Sequence, residues 1–274
     1  MNLIFENRFK DKVIIVTGAT SGIGKATAIR AAREGGKVIL TGRRENLGLE
    51  IVDVIKKNGG EAAFLKLDLS KEEACKSLID ETIKIYGKLD IAINNAGIMG
   101  TPAPLHEIEK EEMDRVMDIN LYSVFFCCKY EIQQFLKQKT GGVIINDASV
   151  AGLVGVPGLP GYNASKHAVN GLTKCLAMDY AQYNIRVNSV NPSETATPLV
   201  KTNAAVYMEK IKQAKEKGLD PSETCCFIGS KRENLLKRPA TAEEQAASIL
   251  FLASDDASYM TGATVATDGG WTAF

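Results

Sequence analysis

Hydrophobic residues along the chain fall into short continuous runs, separated by longer stretches in which apolar positions recur with helical spacing. The runs are rich in Val and Ile and cover residues 13–17, 38–41, 62–67, 89–93, 143–145, 186–190 and 263–267. Helical spacing covers residues 25–34, 47–58, 71–86, 110–137, 162–183 and 242–252. The runs are too short and too uniformly apolar for amphipathic helices and are typical of strands buried on both faces.

Strands and helices that alternate in this way predict parallel βαβ units. We therefore expect an α/β fold, a doubly wound parallel sheet of about seven strands with helices on both faces. No Pro/Ser-rich stretch, repeat or block of charge suggests a linker, so one domain should span residues 1–274.

Ligands of such sheets bind outside the carboxyl ends of the strands, which makes the residues after each run the candidates. Glycine, arginine or a short polar residue follows six of the runs, namely Gly18, Gly42-Arg43, Asp68, Asn94-Asn95-Ala96-Gly97, Ser149 and Asn191-Pro192. We expect these residues to line one extended crevice.

Charge and composition narrow the class of partner. The 33 basic and 33 acidic side chains give no net charge, which argues against nucleic acid or a membrane surface and favours a small molecule. Neither a secretory signal in the first residues nor an apolar stretch of about 18 residues is found. The adjacent pairs Cys127-Cys128 and Cys225-Cys226 match no CxxC or zinc-ligand spacing, so we expect reduced cysteines and a cytoplasmic protein.

A glycine-rich segment, TGATSGIG at residues 17–24, follows the first predicted strand and opens a helix. Its glycines let the backbone turn sharply and let a pyrophosphate approach the N–H groups of the helix N-terminus. The spacing is neither G-x-G-x-x-G nor the Walker pattern, which removes a nucleoside-triphosphatase from consideration. A plain structural turn is the alternative. The expected phosphate contacts are Gly18, Thr20, Ser21, Gly22, Ile23 and Gly24.

The end of the second predicted strand bears on the choice between NAD and NADP. An NAD site places a carboxylate there, on the ribose hydroxyl. This chain instead has Gly42, Arg43 and Arg44, and guanidinium groups suit a 2′-phosphate. We expect NADP(H) to be preferred, with NAD(H) possible. The alternative is that both arginines form a solvated helix start.

Tyr162 and Lys166 lie four residues apart near the start of a predicted helix, so their side chains share one face. A free phenol has a pKa of about 10 and is a poor base at neutral pH. A nearby ammonium stabilises phenolate and should lower the pKa of the tyrosine, which makes the two a candidate acid/base pair. By itself this spacing also occurs on helix surfaces by chance.

In order and spacing, these motifs resemble the short-chain dehydrogenase/reductase family over essentially the whole chain, from about residue 11 to residue 270. The matching residues are Thr17 to Gly24, Asp68, Asn94 to Gly97, Asn120, Ser149, Tyr162 with Lys166, and Pro192 with Thr197. The resemblance implies a Rossmann-type fold, a nicotinamide dinucleotide, and hydride transfer between the cofactor and a secondary alcohol or ketone.

The resemblance also implies a role for each catalytic residue. Tyr162 is the general acid in reduction and the base in oxidation, and Lys166 holds the nicotinamide ribose and lowers the pKa of Tyr162. Ser149 bonds the substrate oxygen, and Asn120 supports a proton-relay water; a structural role for Asn120, on an apolar helix face, is compatible with this.

Further cofactor contacts are implied along the strand ends. They are Asp68 and Leu69 at the adenine, Asn95, Ala96 and Gly97 at the adenosine ribose, and Pro192, Thr195 and Thr197 at the nicotinamide. Asn94 has less weight, because it fits a structural role. Ser193 stands where the family usually has Gly, which leaves the local backbone turn open.

Other chemistries find less support. His106 and His167 form no HExxH motif and no Cys/His cluster, so we expect no metal. Ser149 is not in a G-x-S-x-G elbow, which leaves hydrolase chemistry unsupported.

The substrate is the most open question. Residues 194–239 are long for a connector and should form a lid over the site. Apolar residues there and before Tyr162 favour a bulky apolar substrate such as a hydroxysteroid, unless they simply pack the lid; they are Leu199, Val200, Val206, Tyr207, Met208, Phe227, Leu153, Val154, Val156 and Leu159.

Several alternatives remain beside the hydroxysteroid. A 3-oxoacyl thioester reductase is one, with a basic patch for an acidic carrier at Lys201, Lys210, Lys212, Lys215 and Lys217. A sugar or polyol dehydrogenase and a non-catalytic dinucleotide-sensing scaffold are the others. The resemblance also implies a homotetramer or homodimer through helices 110–137 and 162–183 and residues 271–274.

Overall fold

Seven parallel strands form one sheet in the part of the chain that the computed structural model describes, residues 4–218, 220 and 233–273. The strands are β1 (Val13–Val16), β2 (Lys37–Gly42), β3 (Glu61–Lys66), β4 (Ile91–Asn94), β5 (Gly142–Asp147), β6 (Ile185–Pro192) and β7 (Thr264–Thr267). Their spatial order is β3-β2-β1-β4-β5-β6-β7, with every neighbouring pair parallel. The predicted doubly wound sheet is confirmed.

The strand order reverses between β1 and β4, where Val16 lies opposite Ile93. The connections leave these two strands toward opposite sides of the sheet, and a crevice opens beyond their carboxyl ends. The glycine-rich segment follows β1 directly, and Asn95 follows β4, so both lie at this point of reversal. The sheet topology therefore brings together motifs that are more than 70 residues apart in sequence.

Helices cover both faces of the sheet. The described helices are α1 (Gly22–Arg33), α2 (Glu45–Lys57), α3 (Glu72–Tyr86), α4 (Lys110–Met117), α5 (Ser123–Gln138), α6 (Pro160–Tyr180), α7 (Pro198–Glu216) and α8 (Ala242–Ala253). Ile14 and Val16 of β1 pack with α1, α2 and α8, whereas Ile15 packs with α3, α5 and α6. This burial on both faces explains why the strands are continuously apolar. None of the helices in the described residues could cross a membrane.

The helix expected over residues 110–137 is interrupted in its middle. Helix α4 ends at Met117, a π turn covers Asp118–Tyr122, and α5 begins at Ser123. Because Val116 and Val124 remain buried on either side, the apolar spacing gave no sign of the interruption. Such π turns often occur at functional sites, and this one contains Asn120.

Helix α7 begins earlier than the stretch around residues 205–217 that the sequence indicated. The hydroxyl of Thr197 accepts a hydrogen bond from the N–H of Val200 at 3.5 Å, and Pro198 occupies the first helical position. Threonine followed by proline is a favourable helix start, because one caps an N–H and the other lacks one. The predicted helix start did not take Thr197 and Pro198 into account.

The cysteines within the described residues are unpaired, as expected. Cys75, Cys127 and Cys128 are buried between the sheet and the helices, and Cys175 is exposed. Burial raises the pKa of the Cys128 thiol, and a hydrogen bond with Cys75 together with burial raises that of Cys127. Both are therefore inert thiols in the core. Cys225 and Cys226 lie outside the described residues.

Candidate active site

A crevice of about 680 Å³ lies beyond the carboxyl ends of the strands. Its volume is in the range of small-molecule sites. The predicted site residues line this crevice, with the exceptions of Gly24 and Asn120. The tertiary structure thus collects residues from Gly18 to Thr197 into one site.

The glycine-rich turn is fastened to the segment after β4. The hydroxyl of Thr17 accepts hydrogen bonds from the N–H groups of Asn95, at 2.9 Å, and Ala96, at 3.0 Å. Gly18 has a φ of +63°, and a Cβ there would lie 2.8 Å from the Cα of Ala96. Gly24 was expected to contact phosphate, but a Cβ there would lie 2.5 Å from Nδ2 of Asn95. Gly24 is needed because Asn95 packs against it, and Gly24 does not line the crevice. This corrects the expectation of a phosphate contact.

The N-terminus of α1 is suited to an anion. Helix α1 begins at Gly22, and no side-chain hydrogen bond caps it at Ser21. The first N–H groups of a helix have no partner within the helix and carry the positive end of its dipole. A Cβ at Gly22 would lie 3.2 Å from the methyl of Thr197. With its backbone N–H donors, the turn therefore fits the pyrophosphate of a dinucleotide.

Two hydroxyls of the same turn hold Arg44. Its Nε and Nη2 donate to Oγ1 of Thr20 at 3.2 and 2.7 Å, and Nη2 also donates to Oγ of Ser21 at 2.7 Å. At the end of β2, a Cβ on Gly42 would lie 2.8 Å from the methyl of Thr20. A carboxylate at that position, as an NAD site would have, is excluded unless Thr20 moves.

Lys166 connects α6 to the end of β5. Its Nζ donates to the main-chain carbonyl of Asp147 at 2.7 Å and lies 5.7 Å from the ring centroid of Tyr162. A Cβ at Gly97 would lie 3.5 Å from this Nζ, so the ammonium also faces the segment after β4. The two side chains share one helical face, as the four-residue spacing predicted.

The surroundings of Tyr162 change one expectation. Burial raises the pKa of Tyr162 to about 12, against the lowering effect of a hydrogen bond with Ser149, while the charge of Asp147 raises it further. The sequence predicted a pKa lowered by Lys166. That prediction was wrong for the protein without cofactor. Removing a phenolate from water costs more free energy than the hydrogen bond with Ser149 recovers. Tyr162 is therefore a phenol over the whole neutral range.

Ser149 lies directly after β5, at the edge of the crevice. Its hydroxyl accepts from the N–H of Ala151 at 3.2 Å and donates to the carbonyl of Pro192 at 3.5 Å. The second of these bonds is long, so the hydroxyl proton can turn toward another acceptor. Ser149 is also hydrogen-bonded to Tyr162, so the hydroxyl groups of Ser149 and Tyr162 lie side by side on the crevice wall.

Asn120 lies behind the crevice wall and is fully buried. Its Oδ1 accepts from the N–H of Ile98 at 2.8 Å, and its Nδ2 donates to the carbonyl of Ile98 at 2.8 Å and to Oγ of Ser165 at 3.1 Å. Both N–H donors of the side-chain amide are therefore hydrogen-bonded within the protein. It fixes the segment after β4 against α6, which is the structural alternative that the sequence left open.

The substitution of serine at position 193 has a structural consequence. The hydroxyl of Ser193 donates to the carbonyl of Asp268 at 3.0 Å, and its φ is not positive. The backbone here therefore does not need glycine. Thr195 donates to the carbonyl of Ser193 at 3.0 Å, so the segment after β6 is held internally and against the C-terminal residues.

Asn94 has the structural role that the sequence favoured. Its Nδ2 donates to Oδ1 of Asn146 at 3.1 Å, to Oε2 of Glu131 at 3.2 Å and to Sγ of Cys128 at 3.5 Å. These partners lie between the sheet and α5, away from the crevice. Burial raises the pKa of Glu131 to about 8.

The apolar part of the crevice is smaller than expected. Leu199, Val200, Val156 and Leu159 line it, whereas Val206, Met208, Leu153 and Val154 do not. Tyr207 is also outside the lining, and Phe227 falls outside the described residues.

Asp147 and Trp271 are among the lining residues that were not predicted from the sequence. The resemblance placed Trp271 in a segment of subunit contacts, yet this residue lines the crevice. Asp147 ends β5 and directly precedes Ala148-Ser149, a position that could have marked it.

Comparisons with known proteins agree with this geometry. A family model described as Enoyl-(Acyl carrier protein) reductase matches residues 18–272. A 3beta-hydroxysteroid dehydrogenase of Mediterraneibacter gnavus is 46% identical over 269 residues, with 97% of both chains covered. A cyclohexanol dehydrogenase of Acinetobacter sp. strain SE19 is 37% identical, with 99% of both covered. The crystal structure of a levodione reductase has a TM-score of 0.86 at 33% identity, covering 97% of this chain and 99% of that one.

Proposed function

Because the chain belongs to the short-chain dehydrogenase/reductase family, we propose that it interconverts a bulky, apolar secondary alcohol and its ketone with NADP(H). The family establishes an NAD(P)-dependent oxidoreductase that acts on CH–OH groups of small molecules. The cofactor preference, the substrate class and the residue roles are our proposal. The observation that carries it is the convergence of Tyr162, Lys166 and Ser149 on one wall of the crevice.

Tyr162 is the proposed proton donor to the substrate oxygen. With a pKa raised to about 12 by burial, it keeps its proton at neutral pH and is ready to act as an acid. When bound, the nicotinamide supplies or receives the hydride. Carbonyl reduction needs the phenol that the protein already holds, whereas alcohol oxidation needs phenolate. We therefore assign reduction as the direction that neutral pH favours.

The other three residues support this proton transfer. The hydroxyl of Ser149 has one proton, which forms a hydrogen bond either with Tyr162 or with the same substrate oxygen. Lys166 supplies a positive charge 5.7 Å from the Tyr162 ring, which favours phenolate after the proton has left. Asn120 is a positioning residue, because its amide holds Ile98 and Ser165 around the site.

The preference for NADP(H) rests on the end of β2. Thr20 and Ser21 hold Arg44 over the glycine-rich turn, and within the described residues Nη1 of Arg44 donates no hydrogen bond. This leaves paired guanidinium donors for a 2′-phosphate, and Arg43 lines the same part of the crevice. The close contact at Gly42 disfavours the carboxylate that would select NAD.

An apolar substrate is supported by part of the crevice lining. Leu199 and Val200 from the start of α7, Val156 and Leu159 from the segment before α6, and Trp271 all line the crevice. The relatives named for a 3β-hydroxysteroid and for cyclohexanol are consistent with an alicyclic ring in this place. The lid predicted at residues 194–239 remains part of this proposal: α7 is its described helix, and residues 219 and 221–232 lie outside the described residues.

A substrate panel tests the proposal. We would measure kcat/KM for a 3β-hydroxysteroid, cyclohexanol, acetoacetyl-coenzyme A and sorbitol, and for the matching ketones, each with NADP(H) and NAD(H). The expected result is the highest kcat/KM for an alicyclic ketone with NADPH. A higher value for the thioester would favour the acyl alternative, whose lysines on α7 are Lys201, Lys210, Lys212 and Lys215. Equal or better activity with NADH would contradict the cofactor preference.

Association of the chain into a homotetramer or homodimer is also part of the proposal. Large apolar side chains are exposed on α5, α6 and the π turn, among them Phe125, Met178 and Tyr122. Such exposed side chains are typical of helix faces that pack against another copy. Light scattering coupled to size-exclusion chromatography measures the mass, and a 29.6 kDa particle would contradict association.

A further inference from the structure

Asp147 is a buried carboxylate on the wall of the proposed catalytic site. It ends β5, two residues before Ser149, and only 8% of its surface is exposed. It lines the crevice, and among residues 4–218, 220 and 233–273 no donor forms a hydrogen bond to its carboxylate and no cation lies within ion-pair distance. A carboxylate that lines the crevice together with Tyr162 and Lys166 adds a charge to the site that strand packing does not require.

The charged groups around Asp147 are those of the catalytic pair. Lys166 on α6 donates to the main-chain carbonyl of Asp147, and Tyr162 lies on the same face of α6. The neighbouring strand residues are uncharged: Val190 on β6 lies opposite Asp147, and Asn94, the last residue of β4, lies opposite the preceding residue, Asn146. The remaining charged side chains of the crevice lie after other strands: Arg43 and Arg44 after β2, Asp68 after β3 and Glu194 after β6.

We propose that Asp147 is a positioning residue for the reaction: its carboxylate, on the crevice wall beside Tyr162 and Lys166, sets the charge that these two groups experience and so makes proton transfer depend on pH. This inference rests on the proposed roles of Tyr162 and Lys166. It adds a third ionisable group to the site and assigns that group a function.

The electrostatics of the three groups are consistent with this role. Burial raises the pKa of Asp147 to about 7, and the charge of Lys166 opposes that rise. Burial lowers the pKa of Lys166, and the charge of Asp147 opposes that fall. The same carboxylate raises the pKa of Tyr162. The three titrations are therefore coupled, and the carboxylate form favours the ammonium while it opposes phenolate.

This coupling has a defined consequence for alcohol oxidation, which needs phenolate on Tyr162. Below neutral pH, Asp147 is protonated and an asparagine in its place resembles it in charge and shape. Above neutral pH, the wild-type carboxylate resists ionisation of Tyr162, whereas an amide does not. The oxidation profile of Asp147→Asn should rise at a lower pH, by about one unit for one nearby charge.

The experiment compares kcat/KM for alcohol oxidation by the wild-type protein and by Asp147→Asn between pH 5.5 and 9.5, with the alcohol of highest activity in the panel. We expect similar values at pH 6 and a ratio of variant to wild type that rises about tenfold by pH 8.5. If Asp147→Asn does not fold, Asp147→Thr, which suits a strand, serves the same comparison. Thermal unfolding establishes that the variant is folded.

A ratio that stays constant over the whole pH range would overturn the inference, because a purely structural residue lowers activity equally at every pH. Failure of the proposed function is distinguishable from this result. It would appear as absence of turnover in the wild-type protein with every substrate of the panel, before any variant is measured.

Discussion

The side-chain amide of Asn120 forms a two-bonded ring with the peptide groups of Ile98, accepting from its N–H and donating to its carbonyl, both at 2.8 Å. Asn120 lies in the π turn between α4 and α5, and Ile98 lies in the segment after β4. The contact therefore joins a residue that lines the crevice, Ile98, to one that does not, Asn120.

Asn120→Ala should destabilise the fold and disturb the site together. The substitution leaves the partly buried N–H and carbonyl of Ile98 without their side-chain partner, which costs about 1–3 kcal/mol of the free energy of unfolding. Denaturant unfolding measures this, and kcat for ketone reduction should fall in parallel. Asn203→Ala is a matched control, since Asn203 is also buried but donates only one bond, at 3.3 Å, to Gly100. Equal stability of Asn120→Ala and the wild-type protein would contradict the assigned role.

Tyr162→Phe should abolish turnover without preventing cofactor binding. General acid catalysis by a positioned side chain contributes about 10²- to 10⁴-fold, and kcat should fall by this factor. Trp271 is the single tryptophan of the chain and lines the crevice, so quenching of its fluorescence reports the cofactor Kd.

Tyr183→Phe is the control for this variant, because Tyr183 is half exposed and lies outside the crevice lining. It should leave both kcat and the cofactor Kd unchanged. Unchanged kcat in Tyr162→Phe would instead support the alternative of a non-catalytic dinucleotide sensor.

Arg44→Ala should reduce the discrimination in favour of NADP(H). Loss of charge-assisted hydrogen bonds to a 2′-phosphate costs about 1.5–3 kcal/mol, equivalent to about ten- to a hundredfold in kcat/KM with NADPH. The value with NADH should change little, because that cofactor has no such phosphate. Arg33→Ala, at an exposed position at the end of α1, is the control. A similar loss with both cofactors would show that Arg44 only holds the glycine-rich turn.

Glu131 should make the stability of the protein depend on pH. Its folded-state pKa is raised by burial to about 8, above its ordinary value near 4.5. The stability that the neutral form contributes is fully present below pH 4.5 and is lost as the pH rises to 8, because the unfolded chain releases the proton first. Glu131→Gln is neutral at every pH and should flatten this dependence.

Denaturant unfolding at intervals from pH 5 to pH 9 measures the effect. Glu81→Gln, on α3, is the control, because the Glu81 side chain is 40% exposed; this variant should keep the wild-type dependence. Parallel stability curves for the wild-type protein and Glu131→Gln would contradict the prediction.

Much of the architecture was predictable because it depends on short-range patterns. Continuous apolar runs predicted all seven strands of the described sheet, and their alternation with helical spacing predicted its parallel order. Boundaries moved by a residue or two at most strands, since the last residue of a strand is set by its neighbours. The spacing of Tyr162 and Lys166 likewise predicted a shared helical face, because helix geometry is local.

What the tertiary structure decided depends on residues that are distant in sequence. Gly24 is needed because the side chain of Asn95 packs closely against it. Asn120 is hydrogen-bonded to the peptide group of Ile98, which lies 22 residues earlier in the chain. Neither contact leaves a trace in local periodicity.

The ionisation of the site was decided in the same way. From the sequence, the ammonium of Lys166 was expected to lower the pKa of Tyr162, whereas burial raises it to about 12. Asp147 was not singled out from the sequence, and burial raises its pKa to about 7. Desolvation sums the effect of every atom around a group, so it exists only once the chain has folded. The sequence by itself determined which residues could meet at the crevice, and the packing around them decided which hold protons there.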